Sequence, residues 1–167
     1  MPLIALLIKL NSRGPVFFLQ LRNKRNGELF TCIKFRSMFT NADADVLPAC
    51  KNDNRITPAG KFLRKHHLDE LPQFFNVLWG DMAIVGPRPH MVSDNVRFDP
   101  LIKNYAQRNK VKPGITGLAQ VTGYAGATDD MDMMKGRVNM DIFYLRHWSV
   151  RLDLAILYRT LFKIRRF

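Results

Sequence analysis

The sequence predicts an α+β fold, mostly helical, that carries one small β-hairpin. Three observations lead there. Asn26-Gly27 stands between two runs rich in β-branched and aromatic residues, a strong hairpin signal. Met131, Met134, Val138, Ile142 and Leu145 recur at steps of three and four, the period of an amphipathic helix. Thr57-Pro58 joins an N-cap residue to a proline at the first helical position.

Taken in order, Leu3 to Leu10 reads as a short helix broken by Gly14-Pro15. Val16 to Leu21 and Leu29 to Phe35 form the arms of the hairpin, with Arg22, Lys24 and Arg25 making its loop basic. The second arm runs into Lys34-Phe35-Arg36-Ser37-Met38, where an extended chain puts Lys34 and Arg36 on one face. A solvated strand face over a buried Phe35 accounts for that pattern equally simply. Asn41 to Asn54 is polar and aperiodic, a loop. The helix opened by Thr57-Pro58 runs to about His67 and carries Lys61, Arg64 and Lys65.

Leu68 to His90 is the most informative stretch. Asp69 and Glu70 stand at the expected start of a short helix, with Pro72 in its first turn and Gly80 as its stop. A carboxylate there faces unpaired N–H groups, so Asp69 is expected to stay ionised; a plain capping role fits as well. Beyond the helix lies the rigid Gly86-Pro87-Arg88-Pro89 segment. One further helix is expected around Leu101 to Arg108, followed by glycine-rich Lys112 to Leu118, in which glycines let a backbone come close to a phosphate or base. Asp129 to Leu145 and Asp153 to Phe162 complete the chain as helices, the second ending in Lys163, Arg165 and Arg166. That last helix suits a membrane interface or a core-facing position, and periodicity does not choose between them.

The 167 residues fit one domain spanning 1–167, and 47% apolar content supports a core. The net charge of +12 points to a polyanionic partner: nucleic acid, an anionic membrane surface or a phosphorylated substrate. Cys32 and Cys50 match no metal spacing and no disulfide framework. His66 and Glu70 are one helical step apart, but the turn expected near Leu68 spoils a zinc geometry. No run approaches the roughly 20 apolar residues of a spanning helix, and the apolar opening lacks the basic start of a signal peptide.

Adjacent acids among cations suit a phosphate substrate held through a divalent metal. Mg²⁺ takes one or two carboxylates plus phosphate oxygens, so Asp69 and Glu70 would suffice as metal ligands. An ionised aspartate can attack phosphorus and form an acyl-phosphate. Arg88, fenced by Pro87 and Pro89, holds its guanidinium fork ready for an anion. Cations tied to an acid pair suit a phosphate substrate better than nucleic acid, which is therefore not expected as a partner.

Six ordered motifs then carry a resemblance: Gly14-Pro15-Val16-Phe17-Phe18, Lys34 to Met38, Asn54 to Gly60, Leu68 to Gln73, Val85 to Pro89 and Lys112 to Gly117. Together they resemble the bacterial sugar transferases, the monotopic polyprenyl-phosphate phosphoglycosyltransferases. Val121-Thr122-Gly123-Tyr124, Arg137-Val138 and Asp141 to Leu145 with Trp148-Ser149 look like the subgroup that starts exopolysaccharide or O-antigen repeat units. The resemblance implies a ping-pong transfer of sugar-1-phosphate from a UDP-sugar to undecaprenyl phosphate on the cytoplasmic face of the bacterial inner membrane. It implies Asp69 as nucleophile, Glu70 as Mg²⁺ ligand, Arg88 with Pro87 and Pro89 as a phosphate-binding segment, and Lys34, Arg36, Arg55 and Arg64 as further phosphate-binding candidates. It also implies an apolar membrane-dipping helix upstream of Pro2, so the chain is expected to be shortened at its N-terminus. A shortened, inactive member that binds a membrane surface or a partner is the alternative. A homo-oligomer and the identity of the sugar, a hexose such as glucose or galactose, are left open.

Overall fold

The computed structural model describes residues 1–41, 47, 53–126 and 130–164, the side chains of 163 and 164 excepted. Most of the expected 41–54 loop, Cys50, Asp129 and the basic residues Arg165 and Arg166 lie outside the described residues. The architecture is α+β, about half helical, with two small two-stranded sheets.

Helix α1, Pro2–Asn11, starts with proline where its missing N–H costs nothing. It buries Ile8 and leaves Leu3, Leu6 and Leu10 exposed. The hairpin follows as predicted: β1, Phe17–Asn23, pairs antiparallel with β2, Leu29–Phe35, from Phe17↔Phe35 to Asn23↔Leu29. Between them a 3₁₀ turn places Asn26 and Gly27 at φ 61° and 79°. Asn and Gly tolerate that left-handed backbone.

The hairpin differs from expectation in which face is buried. Gln20, Arg22, Phe30 and Cys32 point inward, while Leu19, Leu21 and Leu29 are exposed. Arg22 is thus part of the interior rather than of a basic loop. β2 ends at Phe35, so Lys34 and Arg36 do not share a strand face. Arg36 turns back to α1, donating to the Ser12 carbonyl at 2.9 Å and to the Arg13 carbonyl, acceptors that the end of a helix leaves open.

Helix α2, Pro58–Lys65, is capped by the Thr57 hydroxyl, which accepts from the Gly60 N–H at 2.9 Å. A short 3₁₀ turn, Leu68–Glu70, leads to α3, Gln73–Leu78. Strand β3, Ala83–Val85, pairs in parallel with β4, Gly114–Thr116, Ala83 beside Gly114 and Val85 beside Thr116. Their connection contains α4, Val92–Phe98, and a 3₁₀ turn at Tyr105–Lys110. This corrects the helix expected over Leu101 to Arg108. Asn104, at φ 66°, breaks the helical backbone there, and Ile102 and Tyr105 go separately into a cluster with Phe98, Met134 and Val138.

The chain ends in α5, Leu118–Val121, α6, Met131–Arg146, and α7, Val150–Ile164. Helix α7 answers the question that periodicity left open by having two apolar sides. Ile156 packs with Val85, Val121 and Tyr144, while Leu154, Tyr158, Leu161 and Phe162 remain exposed.

Glycines in the Lys112 to Leu118 segment serve backbone packing. A Cβ on Gly114 would lie 2.2 Å from the Gly86 nitrogen, and one on Gly117 would lie 2.2 Å from the Gly86 carbonyl oxygen. Gly114→Ala should therefore force β3 and β4 apart and cost about 2 kcal/mol, the usual range for overpacking. Urea denaturation at pH 7 measures this, and a wild-type midpoint would contradict the close approach.

Candidate active site

The site begins with the sequence Leu68-Asp69-Glu70-Leu71. In a turn of period three, Leu68 and Leu71 fall on one side, and both pack against Ile8, Phe35 and Leu63. The two acids are thereby set off that apolar seat. His67 enters the turn in the left-handed conformation, φ 54°. The dyad therefore sits ahead of α3, separated from it by Leu71 and Pro72, rather than in its first turn.

The two carboxyls live in opposite circumstances. Glu70 meets the guanidinium of Arg88 with both oxygens: Nη1 donates to Oε2 at 3.0 Å and Nη2 donates to Oε1. Lys34 Nζ is 3.9 Å from the same Oε1. Burial by itself would raise the Glu70 pKa, but the charge and hydrogen bonds of Arg88, with Lys34, hold it well below the usual carboxylate range. Glu70 in turn raises Arg88 against the effect of burial. Asp69 accepts no hydrogen bond among the described residues. Burial pushes its pKa up, and the neighbouring Glu70 charge pushes it further; Lys34, Arg64 and Arg88 pull the other way. The capping expected at a helix N-terminus is not found: the dyad precedes α3, and among the described residues no backbone N–H donates to Asp69.

Arg88 is held by its own backbone. The Gly86 N–H donates to Thr116 O at 2.9 Å, and the Gly114 N–H donates to Pro87 O at 2.8 Å. Arg22 Nη1 donates to Pro89 O at 3.2 Å, and Arg108 Nη2 donates to Arg88 O at 2.6 Å. Pro87 and Pro89 are both buried. Their contribution is a rigid, four-point-anchored strap with one side chain, Arg88, turned to the dyad.

Of the residues predicted from sequence, the structure gathers Asp69, Glu70, Lys34, Arg64 and Arg88. Arg64 also donates to the Ser37 hydroxyl at 3.4 Å. Arg36 is engaged at the end of α1, as described above. Arg55 grips Asp53, with Nη2 2.7 Å from Oδ2 and Nε 3.0 Å from Oδ1. Burial lowers the pKa of Lys34, and Glu70 counteracts it.

Sequence reasoning missed the buried polar residues behind the strap. Arg22 is one, its pKa lowered to about 10 by burial. A signal existed: Gln20 and Arg22 alternate with Leu19 and Leu21, so a two-residue period puts both polar side chains on one face. Arg108 and Asp141 form an ion pair in which both side chains are only 2% exposed. His90 Nδ1 lies 2.6 Å from the Tyr105 hydroxyl, which donates to Asn95 at 2.9 Å. Arg137 binds the Tyr124 and Gly126 carbonyls at 3.0 and 2.9 Å.

Among the described residues no cluster of three metal-ligating side chains exists. The dyad nonetheless suits a Mg²⁺ ion that draws most ligands from water and phosphate. Asp69 offers oxygens free of hydrogen bonds, and each Glu70 oxygen has a second lone pair beyond the one facing Arg88.

The chain belongs to the bacterial sugar transferase family, whose model matches residues 1–166. It is 52% identical over 161 residues to the UDP-glucose:undecaprenyl-phosphate glucose-1-phosphate transferase of Klebsiella pneumoniae, covering 96% of this chain and 35% of that protein. Identity to the transferase of the same name from Escherichia coli (strain K12) is 51%, with 96% and 35% covered. The exopolysaccharide production protein PSS of Rhizobium leguminosarum bv. phaseoli is 41% identical over 162 residues, covering 94% of this chain and 81% of its own. The chain thus spans about a third of the length of the first two relatives.

Arg88→Met should destabilise the fold by about 2 kcal/mol at pH 7, because it removes a charge-assisted pair from a mostly buried carboxylate. Glu70 has a folded pKa below its unfolded one, so the pair's contribution is complete above the ordinary carboxyl range, about pH 4. It is lost as pH falls through the folded value. Urea melts of parent and variant from pH 7 to pH 3 should converge toward the acid end, and a constant gap across that range would refute the assignment.

Proposed function

We propose that this chain transfers sugar-1-phosphate from a UDP-sugar, UDP-glucose first among them, to undecaprenyl phosphate through a phosphosugar covalently held on Asp69. The observation that carries this reading is the division within the dyad. Glu70 is locked to Arg88 and Lys34, whereas Asp69 accepts no hydrogen bond among the described residues and lies within the field of three cations. A capping aspartate has its oxygens on backbone N–H groups. An attacking one needs them free.

In the first half-reaction an Asp69 oxygen attacks the β-phosphorus of the UDP-sugar. A P–O bond forms to Asp69, the P–O bond to UMP breaks, and UMP leaves with the electron pair. In the second, an oxygen of the lipid phosphate attacks the same phosphorus. The bond to Asp69 breaks, the carboxylate is restored, and a polyprenyl-diphosphate sugar departs. Two displacements of moderate barrier replace one difficult transfer. Arg88, Lys34 and Arg64 supply positive charge to the phosphoryl oxygens in a partly buried setting, where such charge acts strongly. Mg²⁺ bound at Asp69 and Glu70 would further neutralise the phosphates. Glu70 keeps Arg88 in place throughout.

The exposed apolar residues of α1 and of the segment that follows the dyad suit a lipid acceptor at a membrane surface, which we place at the cytoplasmic face of the bacterial membrane. Leu78 at the end of α3 and Trp79 just beyond it are exposed, and α1 leaves Leu3 and Leu10 outside. Among the described residues no helix is long and apolar enough to cross a membrane. Exposed apolar side chains of this kind suit contact along a membrane surface. The names of the Klebsiella and Escherichia relatives support undecaprenyl phosphate as acceptor, and that of the Rhizobium protein supports a role in exopolysaccharide production; a place at the start of exopolysaccharide or O-antigen repeat-unit synthesis is our extension of that reading.

Incubation of the full chain with Mg²⁺ and UDP-glucose should add a hexose phosphate to its intact mass and release UMP. Asp69→Asn should do neither, and an adduct on that variant would overturn the role of Asp69. The rate of adduct formation should fall on the acid side with a midpoint above 3.8, the ordinary aspartate value, since Asp69 must be ionised to attack and its pKa is raised. Single-turnover rates between pH 4 and 8 test this, and a flat profile down to pH 4 would contradict it.

A further inference from the structure

Behind Arg88 lies a buried ion pair that the proposed transfer does not itself use. Arg108 and Asp141 lie on the 3₁₀ turn before β4 and on α6, with Arg108 Nε and Nη2 at 3.0 and 2.8 Å from Asp141 Oδ2. Neither touches Asp69 or Glu70. A buried pair of this kind is poor glue, because apolar residues of the same volume commonly hold two elements together as well or better. What an apolar pair cannot do is donate a hydrogen bond. Arg108 Nη2 donates one, at 2.6 Å, to the main-chain carbonyl of Arg88. Among the described residues the other main-chain bonds to the strap go to Gly86, Pro87 and Pro89, so this is the main-chain bond made to the residue that bears the guanidinium.

From this geometry we infer that Arg108, oriented by Asp141, is a positioning residue that keeps the Arg88 fork on Glu70 by fixing the Arg88 carbonyl. Asp141 sets the plane of the Arg108 guanidinium through two of its nitrogens. Arg108 then fixes the peptide between Arg88 and Pro89. Since Pro87 and Pro89 leave little backbone freedom on either side, that peptide determines where the Arg88 side chain starts. The inference rests on the proposed transfer only for its consequence in rate, and its geometric part can be tested apart from any activity.

Glu28 and Glu70 are the only glutamates in the chain. Selective ¹³C labelling of glutamate carboxyls in the full chain therefore yields two signals, which Glu28→Gln assigns. At pH 7.5, Arg88→Met should displace the Glu70 signal. Arg108→Met/Asp141→Leu should displace it in the same direction by at least half as much, with Glu28 unmoved and the circular dichroism spectrum retained. Should the apolar pair fail to fold, Arg108→Gln/Asp141→Asn, a neutral polar pair too short to reach the Arg88 carbonyl, serves for the same comparison. A Glu70 signal at the parent position in either folded double variant overturns the inference.

Kinetics gives the second arm. The double variant should slow phosphosugar adduct formation about tenfold to a hundredfold, the scale of a misplaced catalytic group. Added to Arg88→Met it should slow the reaction no further, because it acts through Arg88; an undiminished additional loss refutes that route. If the parent forms no adduct, the proposed transfer fails, while the Glu70 signal still decides for or against Arg108.

Discussion

Two adjacent carboxylates cannot both stay charged in a partly buried turn unless something separates their fates. Here the fork of Arg88 does so by taking both oxygens of Glu70 and none of Asp69. One acid becomes a fixed anion with a fixed cation beside it. The other keeps its oxygens open and its pKa raised. The remaining architecture can be understood as the means of bringing position 88 to position 70 and holding it there.

That task explains where polar groups are buried. The strap from Gly86 to Pro89 has its backbone bonded to β4, β1 and the 3₁₀ turn ahead of β4, elements far apart in the chain. Two of those bonds come from arginines, Arg22 and Arg108, that occupy positions an apolar residue would normally fill. Glycines at 86, 114 and 117 let β3 and β4 approach closely enough for the strap to begin in register. The hairpin follows the same logic. Its polar face turns inward because Arg22 and Lys34 lie on the side of the strap and dyad, and Leu19, Leu21 and Leu29 are left outside. A hairpin folded for stability alone would have the opposite arrangement.

The exposed apolar residues are thus a consequence of the site as much as a surface in their own right. Helices α1, α3 and α7 and the outer face of the hairpin each leave large side chains in contact with solvent. For the proposed transfer to a phosphate on a long apolar tail, such surfaces and a dyad in the turn ahead of α3 belong together.

Local signals were sufficient for much of this. Asn26-Gly27 determined the hairpin, Thr57-Pro58 determined the start of α2, and the spacing of Met134 and Val138 determined α6, because each depends on neighbours within a few residues. The paired acids and the proline-fenced Arg88 were also legible, since their chemistry is written in residue type and order. Tertiary structure alone decided which acid is paired and which is open, that Arg36 and Arg55 serve other partners, and that Arg22, Arg108 and Asp141 stand behind the strap. The reason is physical. A pKa or a hydrogen bond between residues 18, 33 or 67 positions apart depends on distances through space, and those are set only when the elements pack.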